Sequence, residues 1–330
     1  MLNLLTDVPG LKVGHATDLK LGSGVTAVLC DVPTIAAVDV RGGSPGTRET
    51  DLLAPGASVQ HVDALFLSGG SAFGLDAGSG IMSWLAERGR GHPVGSVRVP
   101  IVPGAILFDL LNGGDKAWGR HSPYADLGYQ AAEAARGGSF LLGSVGAGTG
   151  ATTAHVKGGL GSASAVTPGG HVVGALVAVN AVGSPLIGTG PYLRAAPFEQ
   201  NGEFGGCGMP QHWPDDASAL TMKGATPRAN TTIAVVATDA VLTRSQARAF
   251  AVMAQDGLAL SLFPVHTQLD GDCVFALATG RKELDPIRHA EAELGATAAC
   301  VLARAVGRAV FEATTLPFPG AQAAWRNRFR

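Results

Sequence analysis

The amino-acid sequence predicts a mixed α/β fold with a large buried core, and three observations lead to this prediction. Hydrophobic residues make up 46% and charged residues 15% of the 330 residues, which leaves little polar material for disordered tails. Many of the 47 glycines separate short apolar runs rich in β-branched residues, a pattern typical of buried strands. Segments with helical periodicity lie between these runs. The length alone permits one large domain or two.

The predicted elements follow one another along the chain. Buried strands are predicted for residues 25–30, 64–67, 140–142, 172–179, 232–237 and 273–277. Helices are predicted for residues 75–88, 125–136, 245–260 and 287–314. In the third helix, Thr243 or Ser245 can serve as the N-cap, and Gly257 falls near the end. Residues 194–230 are rich in Pro, Gly and acidic side chains without clear periodicity, and they are predicted to form a loop or linker that runs into a strand beginning at Thr231.

Charge and cysteine content argue against several classes of protein. The net charge is −2, and the basic residues form no run except the alternating Arg326, Arg328 and Arg330, so a nucleic-acid partner is not expected. Residues 1–7 lack the charged and apolar regions of a signal peptide, and no uninterrupted apolar run approaches the length of a membrane span. The scattered cysteines form no CxxC pair, which argues against a zinc knuckle or a dense disulfide framework. We therefore expect a cytoplasmic protein without a membrane partner.

Motifs of other enzyme classes are incomplete in this chain. Residues 146–150 have the spacing of a dinucleotide-binding loop, but no Asp or Glu lies between Glu133 and Glu199 to hold a ribose. Residues 42–46 match the nucleophile-elbow pattern, yet no apolar strand leads directly into Ser44. The nine histidines form no H-E-x-x-H motif. We expect neither a cofactor nor a metal.

An ordered set of motifs spans nearly the whole chain. The set consists of residues 12–18 (KVGHATD), 39–51 (DVRGGSPGTRETD), 68–76 (SGGSAFGLD), 146–150 (GAGTG), 157–159 (KGG), 230–240 (NTTIAVVATDA) and 266–276 (HTQLDGDCVFA). In this order the motifs resemble the self-processing family that includes L-aminopeptidase D-esterases, β-peptidyl aminopeptidases and nylon-oligomer (6-aminohexanoate-oligomer) hydrolases. Members of that family are amide hydrolases with an N-terminal nucleophile.

The resemblance implies that the chain cuts itself between Asn230 and Thr231 and that the freed Thr231 attacks amide bonds. A threonine hydroxyl is a poor nucleophile without a base, and cleavage would supply one, an α-amine with a reference pKa of about 7.7–8.0. Successive side chains of a strand face opposite ways, so only one of Thr231 and Thr232 points at the site, and the family match selects Thr231. Ordinary β-propensity is the alternative explanation of two threonines at the start of a strand.

Asp270 and Asp272 flank Gly271, a spacing that places both carboxylates on one face of an extended chain. At these positions the sequence is similar to the nylon-hydrolase branch, which implies that one carboxylate orients the nucleophile's amine or hydroxyl while the other holds the first. Turn chemistry is the alternative reading of Asp-Gly-Asp. A metal site shared with His266 is disfavoured because hard cations usually take more oxygen ligands.

Three further residues are candidates for the site. The resemblance makes Asn180, a polar residue in an apolar run, an oxyanion-hole donor; alternatively, it satisfies the backbone of a neighbouring loop. The resemblance also suggests that Lys157 pairs with one of the aspartates or bonds to the nucleophile's hydroxyl, with His155 as a competing position and a solvent-exposed lysine as the alternative. Phe108 occupies a position at which relatives carry Tyr, so any contact that the tyrosine hydroxyl makes with substrate is absent here.

The resemblance implies one catalytic domain over residues 1–330, in which two β-sheets are sandwiched by helices, and cleavage products of residues 1–230 and 231–330. It also implies a homo-oligomer. The expected substrates are either short peptides with free amino termini or ω-amino-acid oligomers; the aspartate pair favours the oligomers, whereas residues 41–51 are similar to the aminopeptidase side. Two alternatives remain, a nucleotide-binding or other non-hydrolytic protein and an uncleaved member without activity.

Overall fold

The computed structural model describes residues 1–223, 230–285 and 289–330. In these ranges the strands are β1 (Leu11–Asp18), β2 (Ser23–Val40), β3 (Thr47–Arg48), β4 (His61–Ser68), β5 (His92–Val94), β6 (Val97–Val99), β7 (Gly104–Ile106), β8 (Leu160–Val166), β9 (Val172–Asn180), β10 (Thr231–Ala240) and β11 (Cys273–Lys282). The α-helices are α1 (Ala77–Ala86), α2 (Tyr124–Ala134), α3 (Arg244–Ala254), α4 (Asp256–Ala259), α5 (Ala290–Glu312) and α6 (Trp325–Phe329). Short 3₁₀ turns lie at Leu5–Asp7, Asp51–Leu53, Ser71–Asp76, Gly146–Gly148 and Ala196–Phe198.

Most of the predicted elements are confirmed. The predicted strands other than residues 140–142 fall within β2, β4, β9, β10 and β11, and the predicted helices match α1, α2, α3 with α4, and α5. Thr243 is the N-cap of α3: its hydroxyl accepts the Gln246 N–H, and the Gln246 side chain reaches back to the Thr243 N–H. Residues 287 and 288, where the last helix was predicted to begin, lie outside the described residues.

The strand predicted at residues 140–142 is wrong. Gly138 and Gly143 bound this run with φ angles of 89° and 85°, which turn the chain on both sides of it. Phe140 instead packs edge-on against the His15 ring, with 5.6 Å between the ring centroids, and Leu141 is exposed. Residues 140–142 form too short a run, and lie too close to these turns, to pair with a neighbouring strand. The predicted loop at residues 194–230 is irregular apart from one 3₁₀ turn, and its residues 224–229 lie outside the described part of the chain.

The described strands form a nine-stranded sheet in the order β3-β7-β4-β2-β11-β10-β9-β8, with β1 paired to β2, and a separate hairpin of β5 and β6. Strand β2 is 18 residues long and joins the two halves of the large sheet. Its first part pairs with β1 and β4, and its last part pairs with β11. The two sheets that the resemblance implied are therefore connected through one continuous strand.

Alternation of side chains along the strands divides the interior into layers. The two halves of the sheet pack face to face over a central core, which includes Val28, Leu67, Val235 and Phe275. Helices α1 and α2 cover the outer face of the β1, β2 and β4 half, and α3, α4 and α5 cover the outer face of the β8 to β11 half. The result is a helix–sheet–sheet–helix sandwich, as predicted. Helix α5 has the length and composition of a membrane span, but 78% of its most apolar window is buried as part of the second outer core.

Strand β10 positions the site, and all ten of its residues are buried. Ile233 and Val235 face the central core, whereas Ala234 and Val236 face the core beneath the helices. By the same alternation, Thr231 faces the gap between the two sheet halves and Thr232 faces the helices.

Candidate active site

Two polar residues meet at the end of the apolar ladder between β9 and β10. Thr231 is the register partner of Asn180 in this antiparallel pair, and both residues are buried. Side chains of directly opposed residues lie on the same face of a sheet. The sheet therefore brings together two residues that the family resemblance assigned to the site.

The peptide bond before Thr231 is held in a defined geometry. The Thr231 hydroxyl donates to the Asn230 carbonyl oxygen at 2.5 Å, and the Gly271 N–H donates to the same oxygen at 2.9 Å. The Asn230 N–H donates to the Leu269 carbonyl at 3.1 Å. A hydroxyl thus lies at the carbonyl that it would attack, and a fixed backbone N–H is aimed at the oxygen on which negative charge would develop.

Gly271 is a residue of the candidate site that the sequence pattern did not identify. A Cβ at this position would lie 2.3 Å from the Ser44 carbonyl oxygen and 2.8 Å from Pro45 Cα, so only glycine fits. The Ser44 N–H donates to the Asp270 carbonyl at 2.9 Å, and the Gly43 N–H donates to the Thr267 carbonyl at 3.1 Å. The glycine-rich segment that matches a nucleophile elbow therefore supports the turn beside the nucleophile.

Asp270 lies in this turn with both carboxylate oxygens hydrogen-bonded. One oxygen accepts the Val182 N–H at 3.1 Å, and the other accepts the N–H and hydroxyl of Thr267 at 3.0 and 2.8 Å. Burial raises the pKa of Asp270, and the neighbouring charge of Asp272 raises it further. The charges of the two carboxyl groups therefore influence each other.

Asp272 connects the start of β10 to His266. Its Oδ1 accepts the Thr232 N–H at 2.7 Å, and its Oδ2 accepts the His266 N–H at 3.1 Å and contacts His266 Nδ1 at 2.8 Å. These contacts hold His266 in a left-handed conformation with φ of 55°. Each aspartate thus binds its own set of partners, and the described residues show no hydrogen bond between Asp270 and Asp272. In the same described part of the chain, no group of three or more His, Cys, Asp and Glu side chains is arranged to hold a metal ion.

Lys157 does not form the predicted contacts with the aspartates or the nucleophile. Its buried ammonium donates to three backbone carbonyls, of Gly148 at 3.1 Å, Ala151 at 2.6 Å and Gly158 at 2.8 Å. These acceptors fill all three donor positions of a lysine ammonium. The competing residue His155 contacts the Ser184 hydroxyl through Nδ1 at 2.8 Å.

The electrostatics around Lys157 are dominated by burial. Burial lowers the pKa of Lys157 to about 7; the charge of Asp109 acts against this shift, and that of Lys223 adds to it. Burial also raises the pKa of Asp109, whose oxygens accept the Ser23 hydroxyl at 2.6 Å and the Gly70 N–H at 2.8 Å.

The side chain of Asn180 connects two loops to the site. Its Nδ2 donates to the Phe108 carbonyl at 3.1 Å, and its Oδ1 accepts the Thr152 N–H at 3.0 Å and the Lys223 ammonium at 2.9 Å. Phe108 therefore contributes its backbone to the site, and its ring is half-buried. Asn180 satisfies neighbouring backbone groups, as the alternative reading expected, while it lies beside Thr231.

A cleft of about 480 Å³ opens next to Asn180. It is bordered by residues 111–113, 152–154 and 319–322 and by Lys223. Lys223 and the C-terminal wall were not predicted as parts of the site, because nothing in the local sequence pattern connects these segments to Thr231.

The C-terminal wall of this cleft is anchored to the neighbouring loop. The Gln322 side chain donates to the Thr153 carbonyl at 2.9 Å, and the Lys157 N–H donates to the Ala323 carbonyl at 2.9 Å. The indole of Trp325, which is 1% exposed, donates to the Pro191 carbonyl at 3.0 Å.

Comparison with known proteins assigns the chain to a family. The sequence profile of Peptidase family S58 matches residues 3–323. The chain belongs to peptidase family S58. This S58 peptidase is 44% identical to an uncharacterized aminopeptidase of Mycobacterium bovis, over 97% of this chain and 99% of the relative. It is 29% identical to a 6-aminohexanoate-oligomer endohydrolase of Paenarthrobacter ureafaciens, over 84% of this chain and 75% of the relative.

The fold of the S58 peptidase is also similar to solved structures. The L-aminopeptidase D-Ala-esterase/amidase of Ochrobactrum anthropi, a variant of the Ntn hydrolase fold, matches with a TM-score of 0.72 at 20% identity, over 98% of this chain and 90% of that chain. The family predicted from the ordered motifs is confirmed. The S58 peptidase is a hydrolase of amide or peptide bonds, and the nucleotide-binding alternative is excluded.

Proposed function

We propose that the S58 peptidase cuts its own Asn230–Thr231 bond and then uses Thr231 as the nucleophile against amide substrates. One observation carries this proposal: the Thr231 hydroxyl lies 2.5 Å from the Asn230 carbonyl oxygen, to which the Gly271 N–H also donates at 2.9 Å. The nucleophile, the carbonyl and an oxyanion donor are thus assembled on one peptide bond.

Self-cleavage begins with attack of Thr231 Oγ1 on the carbonyl carbon of Asn230. The hydroxyl proton passes to the Thr231 nitrogen, the peptide C–N bond breaks, and an ester forms between Asn230 and the threonine side chain. Water then hydrolyses this ester, which leaves a carboxylate on Asn230 and a free hydroxyl and α-amine on Thr231. The Gly271 N–H stabilises the oxyanion in both steps.

Turnover uses the amine that cleavage creates. The neutral α-amine accepts the hydroxyl proton of Thr231, the hydroxyl oxygen attacks the substrate carbonyl, and the substrate amine leaves with a proton. Water then releases the acyl group from the threonine. The substrate carbonyl takes the place of the Asn230 carbonyl at the Gly271 N–H, with the amide of Asn180 on the same face. Asp272 fixes the next residue by its hydrogen bond to the Thr232 N–H.

The sheet order supports a cleaved enzyme that stays assembled. Strands β10 and β11, which follow the cut, lie between β2 and β9, which precede it. The two products, residues 1–230 and 231–330, would share one sheet and both of the cores that β10 faces. We therefore expect them to remain together without a covalent link.

For the substrate, we infer a short peptide with a free amino terminus or an ω-amino-acid oligomer. The 44% identity to a relative named an aminopeptidase supports the first class, and the 29% identity to the 6-aminohexanoate-oligomer endohydrolase supports the second. Hydrolysis of amino-acid p-nitroanilides and of a 6-aminohexanoate oligomer by the same purified sample would decide between them.

The test of this function uses Thr231→Ala and Thr231→Ser beside the unmodified protein. Thr231→Ala is expected to abolish hydrolysis of both substrate classes, because the attacking oxygen is removed, whereas Thr231→Ser retains part of it. Undiminished hydrolysis by Thr231→Ala would overturn the assignment. A full-length, inactive unmodified protein would identify an uncleaved member of the family.

A further inference from the structure

We propose that the cleft lined by Lys223 recognises the free carboxylate of a short substrate. The enzyme would then prefer substrates in which a carboxylate follows the scissile amide within a residue or two, as in a dipeptide or a dimer of ω-amino acids. This inference rests on the proposed function and names the substrate group that the site would select.

The first support is the position of Lys223. Its ammonium donates to Asn180 Oδ1 at 2.9 Å, and Asn180 is the register partner of Thr231. A group bound to this ammonium is therefore separated from the nucleophile by a single side chain. Residues 319–322 line the same cleft.

The second support is the charge of the cleft. Lys223 contributes a cation to the lining, and none of the described lining residues is Asp or Glu. The nearby carboxyl of Asp109 is fully buried, and its two oxygens accept hydrogen bonds from Ser23 and Gly70. The cleft therefore offers a positive charge to the substrate without a competing carboxylate on its surface, which favours an anionic group over an ammonium.

The third support is the kind of contact that Lys223 now makes. Two of its contacts are with neutral oxygens, the Asn180 side-chain amide oxygen at 2.9 Å and the Thr152 carbonyl at 3.3 Å, which is long for a hydrogen bond to nitrogen. A carboxylate forms shorter and stronger hydrogen bonds with an ammonium than these neutral oxygens do. A substrate carboxylate in the cleft would therefore bind the ammonium more strongly than the Thr152 carbonyl does.

The first experiment compares a dipeptide with its C-terminal amide, which differ only in the negative charge. The measured quantity is the ratio of kcat/KM for the acid to kcat/KM for the amide, with released product detected by mass spectrometry. Lys223→Gln is expected to lower this ratio about tenfold, mainly through KM, as for loss of one hydrogen bond to a charged group. Lys20→Gln, which removes a charge at a side chain that is 85% exposed, should leave the ratio unchanged. An unchanged ratio in Lys223→Gln would overturn the proposal.

A second pair of variants tests the cleft even if Lys223→Gln fails to fold. Ala321 is a half-buried residue of the cleft wall, so Ala321→Asp adds a carboxylate there and Ala321→Asn adds a neutral side chain of the same shape. The acid-to-amide ratio should fall in Ala321→Asp and not in Ala321→Asn. Equal ratios in the two variants would contradict the proposal.

The outcomes separate this inference from the proposed function. If the unmodified protein hydrolyses neither these dipeptides nor a 6-aminohexanoate oligomer, the proposed function fails and the carboxylate site is overturned with it. If both substrates are hydrolysed by Thr231 at a ratio that neither Lys223→Gln nor Ala321→Asp changes, only the carboxylate site is overturned.

Discussion

Thr231 lies directly opposite Asn180 in the antiparallel pair of β10 and β9, with both residues buried at the end of an otherwise apolar ladder. The side chain of Asn180 also holds the Phe108 carbonyl and the Thr152 N–H. Asn180 therefore borders the nucleophile and joins two loops at the same time. Its removal should have two effects that can be measured separately.

Asn180→Ala is expected to destabilise the fold by about 1–3 kcal/mol, because it leaves buried backbone groups without partners. It should also lower kcat per folded molecule by about 10²–10³-fold if its amide stabilises the oxyanion. Denaturant unfolding and the rate per correctly folded molecule measure the two effects. Asn180→Asp keeps an acceptor for the Thr152 N–H but loses the donor to the Phe108 carbonyl, so its comparison with Asn180→Ala separates the two contacts. Loss of stability with an unchanged rate per folded molecule would make Asn180 purely structural.

Gly271→Ala should slow self-cleavage by about 10²-fold, as expected for loss of one oxyanion donor. The added Cβ would lie 2.3 Å from the Ser44 carbonyl oxygen, so the turn must move and carry the Gly271 N–H away from the Asn230 carbonyl. The fraction of cleaved chain is followed over time on a denaturing gel. Gly137→Ala, where a Cβ meets nothing within 4 Å, is the matched control. Cleavage of Gly271→Ala at the rate of this control would remove the Gly271 N–H from the mechanism.

Local sequence pattern predicts the frame of the site but not its supporting contacts. The apolar runs of β9 and β10 identify two strands, and side-chain alternation places Thr231 and Thr232 on opposite faces of β10. Both inferences depend only on residues that are neighbours in the chain. The position of the Gly271 N–H depends on packing against Ser44, which is remote in sequence, and no local pattern carries such a contact.

The partners of Lys157 also could not be predicted from the sequence. The family resemblance suggested that it pairs with Asp270 or Asp272 or bonds to the Thr231 hydroxyl, with a solvent-exposed lysine as the alternative. The fold instead surrounds its ammonium with backbone carbonyls of Gly148, Ala151 and Gly158. Carbonyl groups occur at every residue, so their convergence leaves no signature in the sequence.

Lys157 should make stability depend on pH. Burial lowers its pKa to about 7, well below the ordinary value for lysine, so between about pH 7 and 10.4 the unfolded chain binds more protons at this residue than the folded chain. The contribution of Lys157 to stability is therefore greatest above this window and is lost as the pH falls through it. Lys157→Met should flatten the rise in the free energy of unfolding between pH 7 and 10, measured with denaturant, relative to Lys20→Met. Parallel slopes in the two variants would contradict the lowered pKa.

The pH–rate profile tests the α-amine of Thr231 as the base. Because the amine must be neutral, kcat/KM should rise with pH through its pKa, whose reference value is about 7.7–8.0. Burial lowers this pKa, whereas the charges of Asp270 and Asp272 raise it by favouring the ammonium. Asp270→Asn and Asp272→Asn should therefore move the rising limb to lower pH. If the rising part of the pH–rate profile lies at the same pH in both variants, neither carboxylate affects the pKa of the Thr231 α-amine.

The central claim is that Thr231 becomes an N-terminal residue by attacking the bond that precedes it. Intact-mass analysis of the purified, denatured protein tests this claim most directly. We predict two species, residues 1–230 and residues 231–330 with Thr231 at the new amino terminus, that co-elute before denaturation, and one species of 330 residues for Thr231→Ala. A single uncut chain in the active, unmodified protein, or normal fragments from Thr231→Ala, would contradict it.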